Sequence, residues 1–211
     1  MRYVGISDSD PMNESHYFSR RPSSTYRIKK IETILRGHYL ELYTASGVFS
    51  RSRVDPGTKI LCESMKLPSQ GNILDFGTGI GIVAMVAAKE SPRAIIYATD
   101  INLRAIQLAR RNVKLNKISN CNVRNVNEYE SFKSEQFVSI VSNPPYSAGW
   151  TFVKDMITQS PKYLQTGGTL QLVCLQRKGG RRLKKLLLHT FDNVEILVRK
   201  SGYRVFLSTK H

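Results

Sequence analysis

The sequence predicts an α/β domain built on a mostly parallel sheet, and three observations carry that expectation. From residue 71 onward, short β-type runs alternate with helical stretches, the pattern of parallel strands joined by crossover helices. The first strand-to-helix junction is glycine-rich, Gly77-Thr78-Gly79-Ile80-Gly81. The last two β-type runs, "NVEILVRK" and "YRVFLST", are separated only by Ser201-Gly202. That gap is too short for a crossover, so the final strand must run antiparallel to its neighbour.

Taken in order, residues 1–15 are polar and read as a loose terminus. "KKIETILRG" reads as a short helix ending at Gly37, and "HYLELYTASGVFSRSRV" alternates around Ser46-Gly47 as a hairpin would. Asp55-Pro56-Gly57 is a turn signal, after which "TKILCESM" opens a helix. "NILDF" and "AIIYATD" are strands, with the apolar helix "IVAMVAAKE" between them. "NLRAIQLARRNVKLN" is an amphipathic helix, "CNVRNV" a weak third strand and "FVSIVSN" a fourth. "GWTFVKDMITQSPKYL" is helical to about Ser160, where Pro161 removes a donor. "GTLQLVCLQ" is a strand and "GGRRLKKLLLHTF" a basic helix, followed by the terminal hairpin. The expected organisation is an N-terminal extension over residues 1–45 and one domain over 46–211.

A chain of 211 residues can bury about 70% of its unfolded surface and needs no covalent staples. No apolar run approaches the ~20 residues of a membrane span, and "MRYVGISDSDPMNES" has no signal-peptide core. Cys62, Cys121 and Cys174 are scattered, with no CxxC or Cys/His cluster, which reads as reduced thiols in a cytoplasmic protein without a metal site. Charge is the dominant bulk feature: 32 Lys+Arg against 16 Asp+Glu, a net +16. That excess favours a polyanionic partner over a neutral one, and its clustering favours nucleic acid.

Glycines at 77, 79 and 81 permit a tight turn and close approach of backbone to a ligand. Asp75 ends the strand before them, and Asp100 ends the next strand, where an acid accepts hydrogen bonds from ribose hydroxyls. Nicotinamide or flavin cofactors use a similar turn, but the spacing here is GxGxG and not GxGxxG. No Gly-Lys-Ser/Thr follows, so there is no P-loop. Glycines that merely tighten a corner remain the plain alternative.

At the end of the fourth strand stands Asn143-Pro144-Pro145-Tyr146. Two prolines fix the backbone and remove two amide donors. What remains on offer is a pair of acceptors, the Asn143 side-chain oxygen and the Pro144 carbonyl, suited to a planar amine. Tyr146 is placed to stack on a flat ring. The lone pair of an exocyclic amine is delocalised into its ring. Two acceptors on its hydrogens favour a more tetrahedral nitrogen, aimed at an electrophilic methyl such as that of S-adenosylmethionine. A rigid Pro-Pro turn capping a strand is the alternative reading.

In this order, "LDFGTGIGI", Asp100 and "NPPY" resemble the class I S-adenosylmethionine-dependent methyltransferases that modify exocyclic amino groups. The resemblance spans about residues 45–211. "GVFSRSRVDPGTKIL" and, loosely, "SGYRVF" resemble the small-methyltransferase-domain group, which includes ribosomal RNA guanine-N2 methyltransferases and short archaeal relatives. The resemblance implies a Rossmann-like seven-stranded sheet in the order 3-2-1-4-5-7-6 with strand 7 antiparallel. It implies that Asp75, Gly77, Thr78 and Gly79 form the cofactor loop, that Asp100 holds the ribose, and that Ile101 lies beside the adenine. Asn143, Pro144, Pro145 and Tyr146 would form the catalytic motif. Asn127 stands where the family often has an acid near the adenine amino group. Phe49 and Ser50 line the pocket or simply pack.

Arg177, Lys178, Arg181, Arg182, Lys184 and Lys185 follow the fifth strand on the same edge and are read as RNA contacts, against a solvated helix face. Arg20, Arg21, Arg27, Lys29 and Lys30, interleaved with Tyr17, Phe18 and Tyr26, form a second cluster that either binds an unstacked strand or is solvated. Trp150 is either core or a stacking residue. No histidine is assigned a role. The expected activity is methylation of guanine N2 or cytosine N4, with adenine N6 third, in ribosomal or transfer RNA. Glutamine N5 methylation of a translation factor and a non-catalytic RNA-binding subunit are the rivals. The oligomeric state is not legible.

Overall fold

The computed structural model describes residues 27–46, 48, 53–126, 129–132, 134–146 and 149–211. It opens with a two-stranded antiparallel hairpin, β1 (Ile28–Leu35) and β2 (His38–Ala45). Helix α1 (Pro56–Ser64) follows, then β3 (Gln70–Phe76), α2 (Ile82–Glu90), β4 (Arg93–Thr99), α3 (Leu103–Leu115) and β5 (Cys121–Arg124). After a short 3-10 turn come β6 (Phe137–Ser142), α4 (Trp150–Tyr163), β7 (Leu164–Leu175), α5 (Gly180–Phe191), β8 (Glu195–Lys200) and β9 (Tyr203–Thr209).

The last seven strands form one sheet in the order β5-β4-β3-β6-β7-β9-β8. All its pairs are parallel except those of β9, which runs antiparallel to both β7 and β8. Counted from β3, this is the 3-2-1-4-5-7-6 order with an antiparallel strand 7. The central strands read as continuous apolar runs because both faces are covered. One buried cluster holds Leu61 of α1, Val86 of α2 and Leu108 of α3. The other holds Val153 and Ile157 of α4 with Leu183 and Leu187 of α5.

The segment expected to be a helix, "KKIETILRG", is β1. Its apolar residues at 31, 34 and 35 mimic helical spacing, yet only Leu35 is wholly buried and Ile34 is exposed. The turn decides the matter. Arg36 and Gly37 both have positive φ, 51° and 80°, as a two-residue type I′ hairpin requires. Arg36 is held in that unfavourable region by its own contacts. Its guanidinium meets Glu90 at 2.6 Å and the Met65 carbonyl at 2.6 Å, and its amide donates to Glu63 at 2.8 Å. The expected hairpin about Ser46-Gly47 is therefore displaced to Arg36-Gly37; Gly47 lies outside the described residues.

Two asparagines one helical turn apart bind β2 to α3. Asn112 Oδ1 accepts from the Tyr43 amide at 2.6 Å, and its Nδ2 donates to the Tyr43 carbonyl at 3.0 Å. Asn116 does the same for Glu41, at 3.1 and 2.7 Å. The two amides thus stand in for a further strand along the edge of β2. Leu35, Leu40, Leu42 and Ala45 join the α1–α3 cluster, so the hairpin is packed into the core.

In α4, Pro161 lies inside the final turn rather than ending the helix. The carbonyl it leaves without a backbone donor, that of Ile157, accepts from Ser160 Oγ at 2.8 Å. Cys62, Cys121 and Cys174 are free thiols.

Candidate active site

Strand register brings the candidate residues together. Phe76 pairs with Thr99, and Asp75 with Val141. Continued past the strand ends, one step from the first pair and two from the second, the registers set Gly77 level with Asp100 and with Asn143. These three residues form a row across the carboxyl ends of β4, β3 and β6. The chain's crossover helices change faces between β3 and β6, which leaves a crevice at this point of an open sheet.

The glycine loop is organised from within. The Thr99 carbonyl accepts from the Gly77 and Thr78 amides at 2.9 and 2.7 Å. Asp75 Oδ2 accepts from Thr78 Oγ1 at 2.5 Å and from the Ala84 amide in the first turn of α2 at 3.0 Å. Gly79 donates to Asp100 Oδ2 at 2.9 Å. A carboxylate therefore occupies the N-terminal end of α2, where a dinucleotide cofactor would seat its pyrophosphate. The loop fits a nucleoside cofactor without a phosphate, and this separates it from the nicotinamide and flavin alternatives. Burial pushes the Asp75 carboxyl up to about 7, against the pull of its Thr78 and Ala84 bonds and with Asp100 adding to the rise. Gly77 (φ 77°) lies with the place of its absent Cβ 3.8 Å from Pro145 Cδ, so the loop and the Asn-Pro-Pro-Tyr segment abut.

Asp100 is 5% exposed, and its second oxygen accepts from the Asn102 amide at 2.8 Å. Two backbone amides thus fix its carboxylate at the strand end. Asn125, which the sequence did not mark, donates through Nδ2 to the carbonyls of Asp100 and Ile101 at 2.8 and 3.0 Å. It shapes the backbone on which both residues sit. Asn127, Phe49 and Ser50 lie outside the described residues.

In the motif after β6, Asn143 Nδ2 donates to Asp55 Oδ2 and to Thr58 Oγ1, both at 3.0 Å. Both amide protons are committed, so Oδ1 is the capacity left to a ligand. The Pro144 carbonyl accepts from the Tyr146 amide at 2.9 Å in a tight turn about Pro145, which leaves it one lone pair of the two. The Tyr146 hydroxyl donates to the Val173 carbonyl of β7 at 2.9 Å. That bond pins the ring and commits its hydroxyl, and the ring packs against the buried cluster on the α4–α5 face. Asp55 and Thr58 were legible only as a turn and a helix start.

The basic residues divide by position. Arg177 and Lys178 are exposed in the 3-10 turn that leaves β7, and Arg181 and Arg182 are exposed in the first turn of α5. Lys184 and Lys185 lie further along α5 on its exposed side. The Arg182 guanidinium sits 4.1 Å over the half-buried Trp150 ring, at the start of α4. In the N-terminal cluster, Lys30 forms an ion pair with Glu41, while Arg20, Arg21, Tyr17, Phe18 and Tyr26 lie outside the described residues.

The turn of the β1–β2 hairpin meets Glu90 at the far end of α2, whereas Arg104, at the start of α3, donates to the Ser46 carbonyl at 2.7 Å. The open end of the hairpin is therefore on the same edge as the glycine loop. A cleft of about 330 Å³ beside Phe76 is lined by Tyr129, Glu130, Phe152, Asp155, Met156 and Gln159, none of which the sequence marked. Among the described residues, no helix is long and apolar enough to cross a membrane, and no group of three or more His, Cys, Asp or Glu is placed to hold a metal.

The family model described as methyltransferase small domain matches residues 39–207. The uncharacterized protein YbxB of Bacillus subtilis is 31% identical over 197 residues, covering 92% of this chain and 98% of its own. Ribosomal RNA small subunit methyltransferase C of Aeromonas hydrophila is 32% identical over 174 residues, covering 80% of this chain. The chain spans about half the length of that relative, 49%. Among solved structures, a Thermus thermophilus 16S rRNA guanine-N2 methyltransferase in complex with AdoMet and guanosine superposes with a TM-score of 0.78 at 20% identity, covering 90% of this chain and 52% of that one.

Proposed function

The chain belongs to the methyltransferase small domain family, and on that premise we propose that it methylates an exocyclic base amine of ribosomal RNA with S-adenosylmethionine as donor. The observation that carries the reading is the commitment of both Asn143 amide protons to Asp55 and Thr58. That commitment makes the residue an acceptor, and an acceptor is what an amine substrate needs. Guanine N2 is the favoured atom, supported by the guanine-N2 methyltransferase whose fold this chain shares. Cytosine N4 also fits an acceptor pair.

Asp100 would receive the ribose hydroxyls of the cofactor, with Ile101 beside its adenine, and Gly77–Gly79 would pass beneath it. The cofactor supplies an electrophilic methyl on a sulfonium. Asn143 Oδ1 and the second lone pair of the Pro144 carbonyl draw on the two amine hydrogens, which localises the nitrogen lone pair away from the ring. Tyr146 holds the ring flat against its face. As the nitrogen gains a bond its proton becomes acidic, so the site needs positioning and acceptors more than a strong base. The target base must be unpaired or extruded to reach such a site.

Arg177, Lys178, Arg181 and Arg182 would hold the RNA backbone at the rim, with Lys184 and Lys185 extending that track. Residues 1–45 would act as the substrate-guiding extension, since the hairpin opens toward the cofactor edge. On this reading the protein would work in the cytoplasm. The test is methyl transfer from labelled S-adenosylmethionine into RNA from cells lacking this protein, followed by nucleoside mass analysis. Label in N2-methylguanosine is expected. Label confined to protein, in glutamine, would overturn the reading.

A further inference from the structure

We propose that Asp55 and Thr58 are positioning residues that set and polarise the Asn143 amide for methyl transfer, an inference that rests on the functional reading above. Asp55 is the N-cap of α1, and its Oδ2 accepts from the Thr58 amide at 2.9 Å. The same oxygen accepts from Asn143 Nδ2 at 3.0 Å. Thr58 Oγ1 lies 3.5 Å from Asp55 Oδ2, with its hydrogen directed there, and so presents a lone pair to the second Asn143 proton at 3.0 Å. The arrangement reads in one direction. An ionised carboxylate only accepts, so the nitrogen end of the amide must face it. The oxygen end is thereby turned away from α1.

The charge matters as well as the direction. A carboxylate drawing on the N–H of an amide shifts electron density toward the carbonyl oxygen, as hydrogen bonds in series polarise one another. Asn143 Oδ1 becomes a stronger acceptor at the moment the substrate nitrogen acquires positive charge. The backbone favours this placement. Pro56 starts the helix immediately after Asp55, and Gly57 is packed so closely that an added Cβ would lie 2.9 Å from Asp55 Oδ2 and 3.0 Å from the Tyr203 ring. The turn Asp55-Pro56-Gly57 is thus built around the carboxylate. Neither residue touches the reacting atoms in this arrangement; each acts through Asn143.

The N-cap role of Asp55 must be separated from its role toward Asn143. Glycine and asparagine are both good N-cap residues, so each substitution preserves α1 while altering the amide's partner. Asp55→Gly is expected to lower kcat at least tenfold, and Asp55→Asn, which removes the charge and keeps one acceptor oxygen, by a smaller factor. Thr58→Val is expected to lower kcat several-fold, while Thr58→Ser keeps it within twofold of the wild type. In all four, the cofactor Kd and the KM for RNA stay within threefold. A loss that appears in KM or Kd, or Asp55→Gly turnover equal to wild type, overturns the proposal. A second readout needs no activity. In protein labelled with nitrogen-15 asparagine, the Asn143 side-chain amide is identified by its loss in Asn143→Ala. It should shift in Asp55→Gly and stay in place in Thr58→Ser. An unmoved resonance in Asp55→Gly overturns the proposal. Wild-type protein inert toward RNA would overturn the functional reading, and the amide shift would then decide this one alone.

Discussion

Replacing Asn112 by Ala should destabilise the domain far more than a typical helix substitution. Asn112 is wholly buried and makes three hydrogen bonds: from the Tyr43 amide at 2.6 Å, to the Tyr43 carbonyl at 3.0 Å and to the Ile80 carbonyl at 2.9 Å. Alanine leaves the Tyr43 amide without its acceptor on the buried side of β2. A buried donor left without a partner costs about 1–3 kcal/mol. The two carbonyls each lose one donor, a smaller loss because a carbonyl keeps a second lone pair. With the small cavity added, the expected loss is about 3 kcal/mol. In urea that is a midpoint shift of roughly 1 M, since slopes for domains of this size run near the top of the usual range. Asn112→Asp should be worse: it keeps the acceptor for Tyr43 but turns a carboxylate oxygen toward two carbonyls. The Ile80 bond ties this asparagine to the glycine loop, so the cofactor Kd should also rise. A loss below about 1 kcal/mol for Asn112→Ala, or Asn112→Asp no less stable than Asn112→Ala, would refute this account of how the hairpin is held.

Other expectations concern the site. Asn143→Ala should reduce methyl transfer by at least about a hundredfold, as loss of one preorganised polar group at a reacting centre does, with the cofactor Kd unchanged; unaltered turnover would remove Asn143 from the mechanism. Asp75 has a folded pKa of about 7, well above the ordinary carboxyl value near 3.9. The stability linked to its proton is therefore fully present below about pH 4 and is lost as pH rises through 7, by an amount on the order of 4 kcal/mol. Urea titrations from pH 4 to 8 should show a fall in the wild type that is absent in Asp75→Asn. For the rim, the paired change Arg177→Ala with Lys178→Ala should lower the salt slope of RNA binding by about 1.4, or 0.7 for each single-strand phosphate contact. The same change at Lys184 and Lys185 should do less, because these residues lie further along α5.

The sheet was legible because its central strands are nearly uninterrupted apolar runs separated by helical stretches, of which α3 and α5 are clearly amphipathic. The hairpin at Ser201-Gly202 fixed the one antiparallel strand. The cofactor edge was legible because glycine clusters and strand-end acids leave a mark in short windows. What escaped was non-local. "KKIETILRG" became a strand because Arg36 takes a positive φ that Glu90, Glu63 and Met65 stabilise, and those partners are 27 or more residues away. Asn112 and Asn116 look like ordinary polar positions on an amphipathic helix; their spacing acquires meaning only when β2 lies beside them. Asp55 and Thr58 read as a capped helix start, which they are, and nothing in the local sequence shows that Asn143, 88 residues on, shares the same oxygen.

These long-range amide contacts have a common geometry. Asn112 ties β2 to the Ile80 carbonyl of the glycine loop, Asn125 holds the Asp100–Ile101 backbone, and Asn143 is held by the N-cap of α1. Each of the first two satisfies carbonyls that lie beyond a strand end, Ile80 after β3 and Asp100 and Ile101 after β4, where the sheet ladder does not reach. An open parallel sheet has this need at its carboxyl edge, where loops must stay rigid without strand partners. An amide side chain offers a donor and an acceptor together, so it can replace a missing strand residue at such a turn without carrying charge into the crevice. Asn143 differs from the other two in one respect: its protons are taken by side chains of α1 and its oxygen is turned away from them. The asparagine that would act on substrate is thus set apart from those that only build the edge by the carboxylate behind it.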